Sequence, residues 1–135
     1  MISIDQTIAP WVLLFARICL SLVFLASCVH KTIWYQRGVE EFRMAKAPLI
    51  GVTLPATIVL QFGGSVGLIF GVYVTEFALA LALFTLLATE RAHSFWRFEG
   101  AARLDRGRTA LANLAIIGGL LVLAVSGPGD LALMP

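Results

Sequence analysis

The sequence predicts an all-α integral membrane protein, a bundle of four transmembrane helices with both termini on the same, extracytoplasmic side. The composition, the length of the apolar segments and the positions of the basic residues support this fold class. Of the 135 residues, 59% are hydrophobic and 13% are charged, and the mean hydropathy is +0.91. A soluble domain has about 25% charged residues. A short chain this apolar would expose large apolar patches to water, whereas lipid accommodates them.

Four apolar segments are long enough to be membrane spans. Crossing about 30 Å of hydrocarbon takes around 20 helical residues. The segments that meet this requirement cover residues 11–29, 53–72, 77–96 and 109–127. Pro55 suits the first turn of the second segment, and Gly127-Pro128-Gly129 stops the fourth. The length leaves room for a single transmembrane domain over residues 1–135.

The basic residues are distributed asymmetrically between the loops. Four crossings place the first and third loops on one side, which we call the basic side, and both termini on the other, the terminal side. The basic-side loops contain eight of the ten Lys and Arg residues: Lys31, Arg37, Arg43, Lys46, Arg97, Arg103, Arg106 and Arg108. Because cytoplasmic loops are enriched in Lys and Arg, we expect the basic side to face the cytoplasm. The net charge of +2 suggests no nucleic-acid partner.

The first loop is longer than a hairpin needs and contains an amphipathic segment. Within residues 35–47, apolar residues such as Val39 and Phe42 alternate with charged residues such as Glu41 and Arg43. This pattern is typical of a helix that lies in the membrane interface. We therefore expect a short interfacial helix over residues 35–47.

Glycines on the second predicted helix indicate close helix packing. Gly63, Gly67 and Gly71 are spaced by four, with Gly64 beside them. In lipid, helices associate largely through small residues that let their backbones approach. The alternative is that these glycines make room for a flat ligand.

Arg17 is a charged residue inside the first predicted helix. Charges inside the bilayer are costly and normally have a partner. Glu76, at the start of the third predicted helix, is the expected partner because both residues lie towards the terminal side. Such a pair would fix the helix register. The alternative is that Arg17 contacts an anion or a ligand.

Polar residues of all four predicted helices are expected to meet in the half of the membrane nearer the basic side. On the third helix, helical spacing places one polar stripe on a single face: Thr85, Thr89, His93 and Trp96. The other three helices contribute His30, Gln61 and Asn113.

Three chemistries suit such a pocket. Histidines on facing helices, such as His30 and His93, can ligate haem. Histidine also exchanges protons near neutral pH, as reduction of a quinone head group requires. A metal is the third, but two histidines without further ligands make a poor site, so no metal is predicted. Alternatively, both histidines only mark the membrane boundary.

Several short motifs follow one another along the chain in an order that is typical of a known family. They are Ala16-Arg17, Val29-His30-Lys31, Gln61-Phe62-Gly63-Gly64, Ala92-His93-Ser94-Phe95-Trp96 and residues 113–121. In order and spacing the chain resembles the DoxX family of small four-helix bacterial membrane proteins. It departs from that pattern at His30, where the family commonly has glycine, and at Gln61, where it often has glutamate. The resemblance implies a four-helix fold in the bacterial inner membrane. It also implies an association with quinone-linked oxidation of sulfur compounds or with complexes that handle oxidative stress.

The first functional hypothesis is therefore a membrane subunit or accessory protein of a quinone-linked oxidoreductase. His93 is the catalytic candidate, for proton exchange, and the candidate quinone contacts are His30, Gln61, His93, Asn113 and Arg17. The second hypothesis is a structural or assembly subunit that binds no cofactor. A small transporter is the third, disfavoured because only Gln61 lies near the middle of the membrane. The expected partners are the lipid bilayer, other subunits of a redox complex and a second copy of this chain.

Overall fold

The computed structural model describes residues 4–92 and 99–134, and these residues contain helices and no strand. Within these ranges the helices are α1 (Ala9–Ile33), α2 (Tyr35–Met44), α3 (Ile50–Phe70), α4 (Val74–Ala92) and α5 (Gly100–Ser126). The four long helices overlap the four predicted segments. The largest difference is at α5, which begins at Gly100 rather than at residue 109.

Among the described residues, three helices are long and apolar enough to cross a membrane: α1, α3 and α5. Helix α4 has 19 residues but carries Glu76 in its first turn and Arg91 in its last. Together with Glu90, these charges lower its apolar character at both ends. The prediction of an all-α membrane protein is confirmed.

The core is formed where the four long helices meet. Helix α1 packs against α3, α3 against α4, and α4 against α5. The buried apolar side chains at their contact are Phe24, Leu68, Val74, Ala78, Leu81, Ala82, Leu120 and Leu123. Many other large apolar side chains are exposed, for example Phe15 and Val125. An exposed apolar surface of this extent suits a lipid environment rather than water.

Hydrogen bonds between helix ends show which ends lie together. At one end, Thr75 Oγ1 in the first turn of α4 donates to the carbonyl of Ala124 near the end of α5, at 3.3 Å. At the other, Arg91 Nη1 near the end of α4 donates to the carbonyl of Lys46, which precedes α3, at 3.2 Å. The latter end contains the basic-side residues of the sequence prediction, and we call it the basic end.

Helix α2 lies within the segment 35–47 that was predicted to be helical. It packs against the start of α3: a Cβ atom added to Gly38 would lie 3.4 Å from Leu54 Cδ1. Gly38 is buried, although most of α2 is exposed. The helix is therefore fixed across the basic end by contact with α3.

Close glycine packing is confirmed at two positions of α3 and is absent at a third. An added Cβ would lie 2.9 Å from Leu81 Cδ1 at Gly64, and 2.4 Å from Phe77 Cδ2 at Gly67. Leu81 and Phe77 both belong to α4, so these glycines let α3 and α4 approach each other. The expectation for Gly63 is wrong, because a Cβ there would meet nothing within 4 Å.

Candidate functional site

A cavity of about 350 Å³ lies between the helices at the basic end. Its apolar walls include Phe24, Phe42, Phe84 and Ile116, from α1, α2, α4 and α5. Its polar lining residues are Ser27, Lys31, Glu41, Thr53, Thr57, Gln61, Thr85, Arg91 and Asn113. Small-molecule sites are typically cavities of about 300–1,000 Å³ with mostly apolar walls and a few polar groups. The composition and size of this cavity match that description.

Gln61 is the polar group set deepest in the protein among those lining the cavity. Gln61 is 3% exposed, and its Oε1 atom has no hydrogen-bond partner among residues 4–92 and 99–134. Leaving a buried polar group unsatisfied costs about 1–3 kcal/mol. An unpartnered amide oxygen at a cavity is therefore a feature that a bound ligand with a hydrogen-bond donor would satisfy.

Asn113 is held in place by a chain of hydrogen bonds between α5 and α4. Its Nδ2 atom donates to Thr89 Oγ1 at 2.9 Å. The Thr89 hydroxyl donates to the carbonyl of Thr85 at 2.7 Å, and the Thr85 hydroxyl donates to the carbonyl of Leu81 at 2.7 Å. Because one amide N–H is engaged by Thr89, the Asn113 side chain has a fixed orientation at the cavity wall.

Charged side chains lie where the cavity reaches the basic end. Lys31 Nζ donates to Ser27 Oγ at 2.5 Å. Glu41 on α2 and Arg91 on α4 line the same cavity and are exposed. The cavity thus combines an apolar interior with charged side chains at the basic end. Lys31, Glu41 and Arg91 are not among the pocket residues predicted from the sequence. Two features of the sequence could have indicated them: the amphipathic pattern of α2, and the spacing of one helical turn between Ser27 and Lys31.

Only some of the residues predicted to form a pocket line the cavity in the structure. Gln61, Asn113 and Thr85 meet at the cavity. His30 is exposed, and its ring centroid lies 5.0 Å from that of Trp34. His30 is not among the lining residues of the cavity, whereas its neighbour Lys31 is. His93 and Trp96 lie outside the described residues. Haem ligation by His30 and His93 therefore stays a prediction.

Arg17 is fully buried and lies at the opposite end of the molecule from the cavity. Its Nη1 atom donates to the carbonyls of Leu68 at 3.2 Å and of Ile69 at 3.5 Å. Its Nη2 atom donates to the carbonyl of Leu131, in the segment after α5. Arg17 thus binds three main-chain carbonyls and does not contact the cavity.

The expected ion pair between Arg17 and Glu76 is wrong, since Glu76 is exposed and the guanidinium group binds main-chain carbonyls instead. The last carbonyls of a helix lack partners within that helix and carry the negative end of its dipole. Arg17 satisfies two such carbonyls at the end of α3. The residues after α5 satisfy two more: the Leu133 N–H donates to the Phe70 carbonyl and the Met134 N–H to the Gly71 carbonyl, both at 3.0 Å.

The chain is similar to known membrane proteins over most of its length. The DoxX family model matches residues 12–94. The chain is 36% identical to inner membrane protein YqjF of Escherichia coli strain K12 over 116 residues, covering 86% of this chain and 84% of YqjF. It is 25% identical to inner membrane protein YphA of the same strain over 124 residues, covering 92% and 89% of the two chains. No solved structure matches it significantly. The chain is therefore an integral inner-membrane protein that belongs to the DoxX family.

Proposed function

We propose that this chain is a membrane subunit or accessory component of a quinone-linked oxidoreductase, and that its cavity receives the quinone ring. The observation that supports this most is the buried Oε1 atom of Gln61, which lines the cavity and has no partner within the described part of the chain. A side-chain amide suits both redox forms of the ring. Its N–H donates to a quinone carbonyl, and its oxygen accepts from a quinol hydroxyl.

The walls and the opening of the cavity fit the same ligand. Phe24, Phe42 and Phe84 offer apolar and aromatic surface to a planar ring, and aromatic pairs add about 0.5–1.5 kcal/mol beyond their buried area. A bound quinone would accept two electrons from the partner enzyme and two protons, giving the quinol. Glu41 and Lys31 line the cavity, and Glu41 is exposed, so we assign the supply of protons to these two residues. His93, predicted to exchange protons, stays a prediction.

The proposal includes a membrane topology. Helix α4 packs between α3 and α5, and its charges lie in its first and last turns, where they can reach the head groups. We take it as the fourth crossing, which places both termini outside and the basic end in the cytoplasm according to the distribution of Lys and Arg. The cavity then opens towards the cytoplasm, the source of the protons taken up by the ring.

Replacing Gln61 with leucine is expected to weaken quinone binding at least about tenfold, equivalent to about 1.4 kcal/mol. Leucine removes both amide hydrogen bonds, and it also removes an unsatisfied buried atom, so the fold should persist. The measurement is titration calorimetry of a short-chain ubiquinone, oxidised and reduced, into the purified protein in detergent. Gln36→Leu is the matched control, because Gln36 is exposed on α2 and does not line the cavity. Equal affinities of wild type and Gln61→Leu would contradict the assignment.

A further inference from the structure

A second concave surface lies between α4 and α5, and it shares no lining residue with the cavity. Its volume is about 590 Å³. We call it the α4–α5 groove and define it by its lining residues: Leu86, Thr89, Gly100, Arg103, Leu104, Gly107, Arg108, Ala110, Leu111, Leu114 and Ile117. Among the described lining residues, the charged side chains are the two arginines, Arg103 and Arg108.

The groove changes character along α5. Arg103 and Arg108, both exposed, lie at its end near the start of α5, whereas Leu111, Leu114 and Ile117 form its apolar continuation. From Gly100 to Ile117 the helix rises about 25 Å. The groove is thus long and apolar, with two positively charged side chains at one end.

The length of α5 sets the depth of the two arginines. With 27 residues, the helix is about 40 Å long, which exceeds the roughly 30 Å of a hydrocarbon core. The residues from Thr109 to Ser126 are uncharged and account for most of that core. The preceding turns, with Arg103 and Arg108, therefore lie at the level of the lipid head groups.

We propose that the α4–α5 groove binds one anionic phospholipid. The lipid phosphate lies against Arg103 and Arg108, and one acyl chain runs along Leu111, Leu114 and Ile117. Guanidinium groups bind phosphate oxygens in a fixed geometry, and basic residues near an anionic membrane surface are attracted to its head groups. A Cβ atom added at Gly100 would meet no described atom within 4 Å, so this glycine leaves space beside the arginines. The site is independent of the quinone proposal.

The test compares two double variants that lose the same charge. In Arg103→Gln/Arg108→Gln the groove loses both cations. In the control Arg37→Gln/Lys46→Gln, two basic residues outside the groove are replaced at the same end of the molecule. Both pairs are exposed, so both variants should fold. Native mass spectrometry of the detergent-purified proteins, titrated with dioleoylphosphatidylglycerol or dioleoylphosphatidylcholine, gives the bound lipid.

We expect one phosphatidylglycerol to bind wild type and the control with similar affinity, and the groove variant to bind it at least tenfold more weakly. Phosphatidylcholine should bind wild type at least tenfold more weakly than phosphatidylglycerol, and inorganic phosphate alone should not bind measurably. Equal losses in the two variants would overturn the proposal, since they would indicate a general surface-charge effect. Equal binding of the two lipids to wild type would overturn it as well.

Discussion

Replacing Gly71 with alanine is expected to destabilise the protein by about 3 kcal/mol or more, because two costs add. Gly71 follows the last turn of α3 with φ +74°, and a non-glycine residue held in a sparsely populated backbone region costs about 1–3 kcal/mol. The added Cβ would also lie 2.3 Å from Ala132 Cβ and 2.5 Å from Arg17 Nη1. Since the Ala132 backbone is only 2.7 Å away, the segment after α5 would have to move.

The measurement for Gly71→Ala is thermal unfolding in detergent, read as the loss of the monodisperse size-exclusion peak after heating. Gly118→Ala is the matched control, because Gly118 lies inside α5 and a Cβ there would meet nothing within 4 Å. Alanine is better than glycine in a helix interior by about 1 kcal/mol, so this variant should be at least as stable as wild type. Equal melting of the two variants would contradict the close packing at Gly71.

Replacing Arg17 with leucine is expected to cost about 2–5 kcal/mol and to release the segment after α5 from the end of α3. The buried Leu68 carbonyl would lose its donor, which costs about 1–3 kcal/mol, and the exposed Leu131 would lose the bond that ties it to Arg17. Arg17→Lys should recover only part of the loss, since one ammonium group cannot reproduce the fork of donors that a guanidinium group offers.

The same heating assay measures the Arg17 variants, with protease sensitivity after residue 126 as a second readout. Arg91→Leu is the control, because Arg91 also donates to one main-chain carbonyl but is exposed. Surface substitutions of this kind usually change stability by less than about 0.5 kcal/mol. If Arg17→Leu melted like Arg91→Leu, the buried guanidinium group would not be what stabilises this end of the molecule.

The apolar segments predicted the helices because length and hydropathy determine a membrane span more directly than any tertiary contact does. Helix α5 begins at Gly100, ahead of the predicted span of residues 109–127, because the charged residues from Arg103 to Arg108 interrupt the apolar pattern but not the helix. Charge does not end a helix, and neither proline nor a stop signal occurs there, so the helix extends beyond the hydrocarbon-length segment.

The polar residues of the cavity could be predicted only in part. Gln61, Thr85 and Asn113 were selected because polar side chains in apolar helices tend to face one another, and the structure brings them together. Lys31 and Glu41 were missed, because their positions depend on how α2 folds across the basic end. Similarly, Arg17 was assigned to a carboxylate because main-chain carbonyls leave no signal in a sequence, although the free carbonyls at the end of a buried helix are ready partners for an arginine.

The most direct test of the quinone proposal is purification of wild type and Gln61→Leu from native membranes in mild detergent. Organic extraction then gives the bound quinone, and protein mass spectrometry gives the partners. We expect wild type to carry quinone together with an oxidoreductase in stoichiometric amount, and Gln61→Leu to keep the enzyme but lose most of the quinone. A wild-type protein that carries the enzyme without quinone would indicate an assembly subunit. A wild-type protein that carries neither would contradict the proposed function altogether.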